Sequence, residues 1–300
     1  MKNQLAIIIP YYKITFFDEC LRSLASQTNK NFNVYIGNDN SPNDPLDIVN
    51  KYADTLSITY KKFTDNVGGN NLVKQWDRCI DLSKDEEWIM ILGDDDTLDN
   101  NVVTEFYNIL PKARNIELIR LASQEINEIN EPRTKVYYNP ELESAKDYFF
   151  RCQYDDLRCT LTEHFFTKKS YKKNGFKNFP VAFGSDIVAW LEFPELGNVI
   201  GINNAIANIR ISSENLSSIQ DRQLGFKRVE GYYRYYRYIV QKFNKKFSID
   251  ENEFILNKAY FYFRIFNRNN FDVVEFILFM SNKIGLVRTF HIIKNNRNRK

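Results

Sequence analysis

The chain has 300 residues, of which 43% are hydrophobic, 26% charged and 15% aromatic. This length supplies enough apolar side chains for one large or two modest domains, and it excludes a disulfide-stabilised miniprotein, a collagen-like fibre and a disordered chain. The net charge of +3 conceals a division, because residues 221–300 hold 17 Lys/Arg against 7 Asp/Glu, which is +10 and leaves −7 for residues 1–220. We therefore expect an acidic body followed by a basic, aromatic C-terminal region.

The cysteines and the apolar runs indicate where the protein works. Its 4 cysteines form no CxxC pair, which favours free thiols in a reducing, cytoplasmic compartment. The N-terminus enters a predicted strand at once, so we expect no signal peptide. Apolar runs such as residues 88–92 are far shorter than the ~20 residues that cross a bilayer. We expect no membrane-spanning helix.

The first half of the chain alternates between strand and helix patterns. Short apolar or β-branched runs predict strands at residues 5–9, 34–36, 57–63 and 88–92. Apolar positions three and four residues apart predict helices at about 16–24, 48–52, 72–82 and 101–110. This order is typical of a parallel α/β sheet that is covered by helices. For the C-terminal region the spacing predicts helices over 226–243 and 254–266.

Three loops follow predicted strands and carry polar residues, at positions 10–13, 38–43 and 93–96. In parallel α/β sheets, ligands bind beyond the carboxyl ends of the strands. We therefore expect the three loops to converge on one crevice.

Three consecutive aspartates, residues 94–96, directly follow the last of these strands. Adjacent like charges repel one another and lose hydration at an apolar strand end, so a solvated acidic turn, with Asp99 capping the next helix, is one interpretation. The other is a hard divalent cation, Mg²⁺ or Mn²⁺, which binds carboxylate oxygens and bridges substrate phosphates. An EF-hand register fails at Leu98 and Asp99, and neither a dinucleotide-binding nor a Walker A glycine motif is present.

Four motifs occur in order: IIIPYY at 7–12, NDNSPND at 38–44, DNVGGNN at 65–71 and LGDDDTL at 92–98. Over roughly residues 4–216 the chain resembles the nucleotide-sugar domain of family-2 glycosyltransferases, which are inverting enzymes with the GT-A fold. The resemblance implies an α/β fold with a Rossmann-like, mixed and mostly parallel sheet flanked by helices, here with a helical C-terminal extension. We expect a catalytic domain at 1–220, with a nucleotide-sugar half of about 1–115 and an acceptor half of about 116–220, and then the basic, aromatic-rich region 221–300.

The resemblance also implies a UDP-sugar donor and the residues that bind it. Asp39 stands at the position expected to accept a hydrogen bond from uracil N3–H, and Asn38 replaces the preceding aspartate of the usual motif. The other positions that the resemblance assigns to the nucleotide-sugar are Pro10, Tyr11, Lys13, Asn66, Gly68 and Asn71.

In the D-x-D motif of the family, the usual metal-binding position corresponds to Asp96, which implies Mn²⁺ or Mg²⁺ as cofactor. Asp94 and Asp95 then face the ribose and the donor sugar, and Gly93 replaces the motif's leading aspartate. Ser212 stands where a histidine often completes the metal site.

An inverting transfer is a single displacement, which needs a base for the acceptor hydroxyl and a group that stabilises the departing diphosphate. The chain has only 2 histidines, which favours a carboxylate base. The resemblance points to Asp186, at the start of a helix after a glycine-containing loop; judged without the resemblance, a plain first-turn acid of that helix is the better interpretation. Weaker base candidates are Asp155, Asp156 and Glu163, and we expect His164 to be structural.

The C-terminal region interleaves aromatic and basic residues, as in the run Tyr232–Tyr238. One interpretation is a helical appendage whose rings pack on the catalytic domain. The other is a patch that meets an anionic membrane surface. Nucleic acid is a further partner for basic, aromatic chains, but nothing in residues 1–220 supports it, and we expect none.

The sequence thus predicts a metal-dependent inverting glycosyltransferase that moves a sugar from a UDP-sugar to a glycan or lipid-linked acceptor. The family resemblance implies that it acts at the cytoplasmic membrane face, in bacterial capsule, O-antigen or exopolysaccharide assembly. The Q-x-x-R-W signature of processive synthases is absent from the sequence, which favours single addition. One alternative is a sugar-nucleotide nucleotidyltransferase, although a glycine-rich basic loop is missing after the first strand. The other is a non-catalytic binder of nucleotide sugars.

Overall fold

The computed structural model describes residues 3–154, 157–215, 221–266 and 270–297. The chain divides into two compact units, the first formed by Met1–Lys177 and Ala189–Ser218, the second by Asn178–Val188 and Ile219–Lys300. The second unit takes in residues 178–188 as well as the C-terminal region that we predicted to begin at residue 221. The division of the catalytic domain at about 115/116 stays a prediction.

Within the described residues, the first unit contains a nine-stranded sheet in the order β3-β2-β1-β4-β8-β6-β9-β5, with β7 paired to β9. The strands are β1 (Leu5–Tyr11), β2 (Phe32–Asn38), β3 (Ile58–Lys62), β4 (Trp88–Ile91), β5 (Thr97–Leu98), β6 (Leu118–Ile126), β7 (Leu142–Ser144), β8 (His164–Thr167) and β9 (Asn198–Arg210). Strands β1 to β4 run parallel, and β8 is antiparallel to both of its neighbours. The predicted mixed sheet is confirmed.

Seven helices accompany the sheet strands in the described part of the chain before residue 198. They are α1 (Phe17–Ala25), α2 (Leu46–Lys51), α3 (Leu72–Ile80), α4 (Val102–Ile109), α5 (Ala145–Tyr154), α6 (Lys168–Asn174) and α7 (Ser185–Glu192). The first four lie within a few residues of the predicted helices. The cap predicted for α4 is wrong: the residue before this helix is Asn101, and the Asp99 carboxylate accepts from Ile206 N and Asn208 Nδ2 of β9.

The core of the first unit explains why β1 forms so clearly. Its first five residues, LAIII, are fully buried, because the sheet is covered on both faces. Helix α1 buries Phe17, Cys20, Leu21 and Leu24 on one side of its cylinder. Each fully buried side chain of this size stabilises the fold by about 1.5–3 kcal/mol. The strand ends that carry the polar loops are therefore held by a rigid sheet.

The second unit is helical. Its helices are α8 (Arg222–Phe243), α9 (Ile249–Phe266), α10 (Asn270–Ile284) and α11 (Leu286–Arg297). Tyr233, Phe263 and Phe276 pack with ring centroids 4.8–5.3 Å apart, so packing within this unit accounts for many of its aromatic residues. Over the described residues, none of the helices combines the length and the hydropathy needed to cross a bilayer.

Candidate active site

The loops after β1, β2 and β4 converge, as predicted from the parallel order. Tyr11 pairs with Asn38 at the ends of β1 and β2, and the Asp39 amide donates to the Tyr11 carbonyl at 3.0 Å. The amides of Tyr12 and Lys13 both donate to Asp94 Oδ2 at 2.7 Å. The loop after β1, residues 10–13, is therefore anchored on the three aspartates 94–96, which we name the acidic segment.

Asp94 is buried, and its environment disfavours the charged form. Burial, and then the charge of Asp95, raise the pKa of Asp94 to about 6, against the lowering effect of Lys13 and the two loop amides. Its carboxylate thus orders the first loop in addition to any contact with a ligand.

Asp96 is held at both of its carboxylate oxygens. Thr162 Oγ1 donates to Oδ2 at 2.5 Å, and the Arg210 amide donates to Oδ1 at 2.8 Å. Burial, followed by the Asp95 charge, raises the pKa of Asp96 to about 7. A Cβ atom on Gly93 would lie 2.7 Å from Asp96 Oδ2, so the aspartate that the family has at this position would collide with the Asp96 carboxylate in this arrangement.

Asp95 faces two polar side chains from distant parts of the chain. Lys13 Nζ lies 3.6 Å from Asp95 Oδ2, and Asn215 Nδ2 donates to the same oxygen at 3.2 Å. Lys13 Nζ also donates to the Glu214 carbonyl at 3.0 Å. Its ammonium group lies at the edge of the acidic segment.

Arg210, which we did not predict as a site residue, is fully buried beside the aspartates. Its guanidinium donates to the Asp95 carbonyl at 2.9 Å and to Glu19 Oε2 at 2.6 Å, and it lies over the Phe16 ring at 4.3 Å. In residues 210–213 (RISS), the sequence resemblance draws attention only to the histidine that is missing at Ser212. The residue of this segment that contacts the acidic segment is Arg210.

The donor set of the acidic segment suits a hard cation. Asp94, Asp95 and Asp96 are each at most 8% exposed. Among the residues that the structure describes, no group of three or more His, Cys, Asp or Glu is arranged to hold a metal ion. Mg²⁺ commonly binds through one or two carboxylates, with substrate phosphates and waters completing its octahedron, and the oxygen ligands present fit that mode.

Asp39, predicted to meet the uracil, is anchored by the loop before α3. Its oxygens accept from the Val67 amide at 2.9 Å and the Gly68 amide at 2.8 Å, and it forms an ion pair with Arg78. Burial raises the pKa of Asp39, while these donors lower it. A Cβ atom on Gly68 would lie 2.5 Å from Asp39 Oδ2, so this close approach requires glycine.

Two other residues predicted to bind the nucleotide-sugar stabilise loops with their side chains. Asn66 Oδ1 accepts from the Gly69 amide at 2.8 Å, and Asn71 Oδ1 caps α3 by accepting from the Lys74 amide at 2.9 Å. Both are short-range contacts that fix the backbone beside Asp39.

Tyr11 and Tyr12 differ sharply in exposure. Tyr11 is fully buried and its hydroxyl donates to the Asn43 carbonyl at 2.9 Å, whereas Tyr12 is 40% exposed. Pro10 between the strand core and this loop is half-buried. Alternation along β1 places Leu5 and Tyr11 on the same core face. Tyr12 lies just beyond the end of the strand and is the ring with exposed surface.

Asp186 lies in the first turn of α7, within the second compact unit. It is half-buried, and one of its carboxylate oxygens accepts from the Ile187 amide at 2.9 Å. Burial raises the pKa of Tyr232, and the negative charge of Asp186 raises it further. Its assignment as base stays a prediction. The alternatives Asp155 and Asp156 lie outside the described residues.

Glu163 and His164 are fully buried in the first unit. Glu163 accepts from the Thr160 amide at 2.8 Å. Because its side chain has no exposed surface, it cannot contact an acceptor hydroxyl in this structure. His164 Nε2 is 2.9 Å from the Tyr148 hydroxyl, the imidazole stacks on Trp190, and burial lowers its pKa to about 3. These contacts agree with the structural role predicted for His164.

A mixed, mostly parallel sheet with an acidic segment and a buried aspartate at its strand ends has the architecture of GT-A sugar transferases. The family described as Glycosyl transferase family 2 matches residues 6–176, and the chain belongs to this family. The predicted family, fold class and enzyme class, glycosyltransferase, are therefore confirmed.

Solved structures show the same fold at low sequence identity. S. aureus TarS is 16% identical with a TM-score of 0.62, and the match covers 90% of this chain and 45% of the TarS chain. TarS 1-349 in complex with UDP-GlcNAc is 13% identical with a TM-score of 0.60, covering 100% of this chain and 93% of that one. The mannosyltransferase PcManGT from Pyrobaculum calidifontis, in complex with GDP-Man and Mn²⁺, is 10% identical with a TM-score of 0.55, covering 100% and 88%. No curated protein sequence is significantly similar to the chain.

Proposed function

We propose that the protein is a metal-dependent, inverting glycosyltransferase that uses a UDP-sugar. The observation that carries this proposal is the buried acidic segment 94–96, which is hydrogen-bonded to the first loop. Burying carboxylates without a compensating cation is costly, and a diphosphate with its divalent cation is a partner that offsets the repulsion. The complexes of similar folds with UDP-GlcNAc and with GDP-Man and Mn²⁺ support a nucleotide-sugar donor and a metal.

In this proposal the donor lies along the strand ends. Asp39 accepts from uracil N3–H, with its carboxylate fixed by the amides of the loop before α3. The remaining proposed nucleotide-sugar contacts come from Pro10, Lys13, Asn66, Gly68, Asn71, Asp94 and Asp95. Tyr11, predicted from the sequence, is fully buried, and its exposed neighbour Tyr12 takes its place in the proposal.

Asp96 is the proposed ligand of Mn²⁺ or Mg²⁺. When bound, such a cation supplies Lewis-acid stabilisation of the departing diphosphate. The chain's own contribution is orientation, because Thr162 and the Arg210 amide hold the two Asp96 oxygens. A carboxylate fixed in this way is pre-organised for its ligand.

Asp186 is the proposed general base. It takes the proton of the acceptor hydroxyl while that oxygen bonds to the anomeric carbon, and the bond from this carbon to the diphosphate oxygen breaks with both electrons leaving on UDP. A single displacement inverts the anomeric configuration.

The proposed acceptor is a glycan or a lipid-linked saccharide in bacterial surface polysaccharide assembly. A net charge of +10 in residues 221–300 supports a peripheral position on the anionic cytoplasmic face of the membrane. The family resemblance supports the acceptor class.

A donor screen tests the proposal: release of UDP from UDP-Glc, UDP-Gal and their N-acetyl forms, with Mn²⁺ and with a chelator. GDP-Man is the control for the nucleotide. We expect release from one or more UDP-sugars that stops when metal is chelated. Binding of none of them, or turnover that is indifferent to metal, would contradict the proposal. Donor that binds and is never consumed with any acceptor indicates the non-catalytic binder, and synthesis of UDP-sugar from UTP indicates the nucleotidyltransferase.

A further inference from the structure

Among the described residues of the second unit, the most exposed large apolar side chains lie on α10 and α11. Val274 and Leu278 of α10 are 58% and 64% exposed, and Leu286, Val287 and Phe290 of α11 are 64%, 84% and 65% exposed. We name these five residues the C-terminal apolar patch. Isolated exposed apolar side chains are ordinary, whereas a group of large ones marks an interaction surface.

The patch is distinct from the core face of the same helices. Helix α10 buries Phe276, Met280 and Ile284, which are spaced by four residues and form one stripe. Val274 and Leu278 are offset by two residues from that stripe, or about 200° around the helix. Helix α10 therefore carries a second apolar stripe that the core does not use.

Three of the tyrosines in the run 232–238 are buried and unavailable to a membrane. Tyr233, Tyr235 and Tyr236 are at most 8% exposed, and the rings of Tyr233 and Phe276 are in contact at 5.3 Å. Phe226 of α8 and Phe261 of α9 are 40% and 37% exposed, less than any residue of the C-terminal apolar patch.

Basic residues accompany the patch. Lys283 and Lys294 lie beside it along the chain, whereas Arg288 is paired with Asp250 and Glu253 and the acidic Glu275 is paired with Arg237. Residues 221–300 carry a net charge of +10. A second copy of the chain would bring the same positive charge to the interface and be repelled. An anionic lipid surface complements the charge and accepts the apolar side chains at the boundary between headgroups and acyl chains.

We propose that the C-terminal apolar patch docks the protein on an anionic bilayer, with Val274, Leu278, Leu286, Val287 and Phe290 inserted and the nearby lysines on the lipid headgroups. This inference deepens the proposed function and rests on its membrane-facing part. It is tested without any sugar donor, so failure of docking and failure of sugar transfer are distinguishable.

The experiment is co-sedimentation of the full chain with phosphatidylcholine vesicles, with and without phosphatidylglycerol. We compare the native protein with L278S/V287S/F290S and with the matched control I129S/Y138S, whose residues are 70% and 60% exposed in the first unit. The native protein and the control should bind the anionic vesicles, and the patch variant should bind about tenfold or more weakly because its inserted apolar surface is gone.

Equal binding by the patch variant, or equal binding of the native protein to neutral and anionic vesicles, overturns the proposal. Light scattering without lipid that shows a native dimer and a monomeric patch variant also overturns it, since a second copy would then cover the patch. Should the patch variant fail to fold by circular dichroism, K283E/K294E decides the matter. This charge reversal leaves the apolar residues in place and should abolish the preference for phosphatidylglycerol; an unchanged preference counts against the proposal.

Discussion

The acidic segment of the first unit buries charged side chains, whereas the apolar patch of the second unit exposes hydrophobic ones; both are the reverse of what is usual in a folded protein. In the first, three aspartates are at most 8% exposed; in the second, side chains such as Val287 at 84% remain in water. Charged groups are rarely buried unless they are paired, and large apolar groups cluster at the surface mainly where something covers them. The partners proposed for them are a cation with a diphosphate for the acidic segment and a lipid surface for the apolar patch.

The two regions also differ in how firmly they are built. The acidic segment is fixed by donors from three loops and a buried arginine, while the patch lies on the outward stripes of two helices. A site for chemistry requires fixed geometry, whereas a lipid surface tolerates small displacements. Variants of the buried groups distinguish a working site from a merely strained part of the fold.

The largest effect is expected from Asp96→Asn. Removing one carboxylate charge should lower UDP release by about 10²-fold or more, because electrostatic stabilisation of the transition state contributes more than any other effect in many enzymes. It should leave the protein as stable or more stable, because it removes a charge that burial disfavours. Release assays with Mn²⁺ and thermal melts check both effects, and Asp47→Asn, at an exposed position in α2, is the control. Loss of stability together with activity would mean that Asp96 serves the fold.

Asp186→Asn tests whether the second unit contributes to the chemistry. The amide cannot take a proton from the acceptor, so transfer should fall by about 10²–10⁴-fold, the usual contribution of general base catalysis. Donor affinity, measured by calorimetry, should stay within about twofold of the native value because Asp186 is not assigned to the nucleotide. Undiminished transfer would contradict the assignment of Asp186 as the base and would favour its interpretation as a first-turn acid of α7.

Arg210→Met removes the buried guanidinium and keeps most of the side-chain volume. Its partners Glu19 and the Asp95 carbonyl would lose their donors. Because the Glu19 side chain is 27% exposed, we expect a cost of about 1.5–3 kcal/mol, the range for hydrogen bonds to charged groups. Urea unfolding should show a fall of that size in the free energy of unfolding. Arg210→Lys, which keeps the charge without the fork of donors, should recover only part of it. A fall below about 1 kcal/mol would mean that the contacts of Arg210 count for little.

The sequence predicted the elements that local pattern controls. Runs such as residues 5–9 and the spacing of α1 and α3 were sufficient, and the convergence of the loops followed from parallel strand order. Arg210 and Thr162 could not be found in this way, since their contacts with Asp96 join residues 114 and 66 positions apart and depend on how β8 and β9 enter the sheet.

Exposure was the other quantity that pattern conveyed poorly. Both the buried tyrosines of α8 and the exposed residues of α11 are apolar or aromatic at helical spacing, so periodicity alone does not say which stripe meets the core. Tyr11 is a similar case, because both faces of β1 are buried and alternation alone does not separate it from the exposed Tyr12.

His164 offers the smallest effect and a sharp contrast with the aspartates, because it is a buried polar group whose partners are internal. Burial lowers its pKa to about 3 in the folded protein, below about 6.5 in the unfolded chain. The unfolded state therefore binds more protons between these values, and stability falls as pH drops below about 6.5, by up to about 1.4 kcal/mol per pH unit.

His164→Gln removes this titration and retains a group that can hydrogen-bond to the Tyr148 hydroxyl. The free energy of unfolding is measured with urea between about pH 5.0 and pH 7.5, a range that brackets the ordinary pKa of histidine. Plotted against pH, it should have a shallower slope for the variant than for the native protein. The carboxylates titrate alike in both proteins, so the difference between the two slopes belongs to His164. Identical pH dependence would mean that His164 takes up its proton at the same pH in the folded and the unfolded protein, with the adjacent buried Glu163 as its counter-charge.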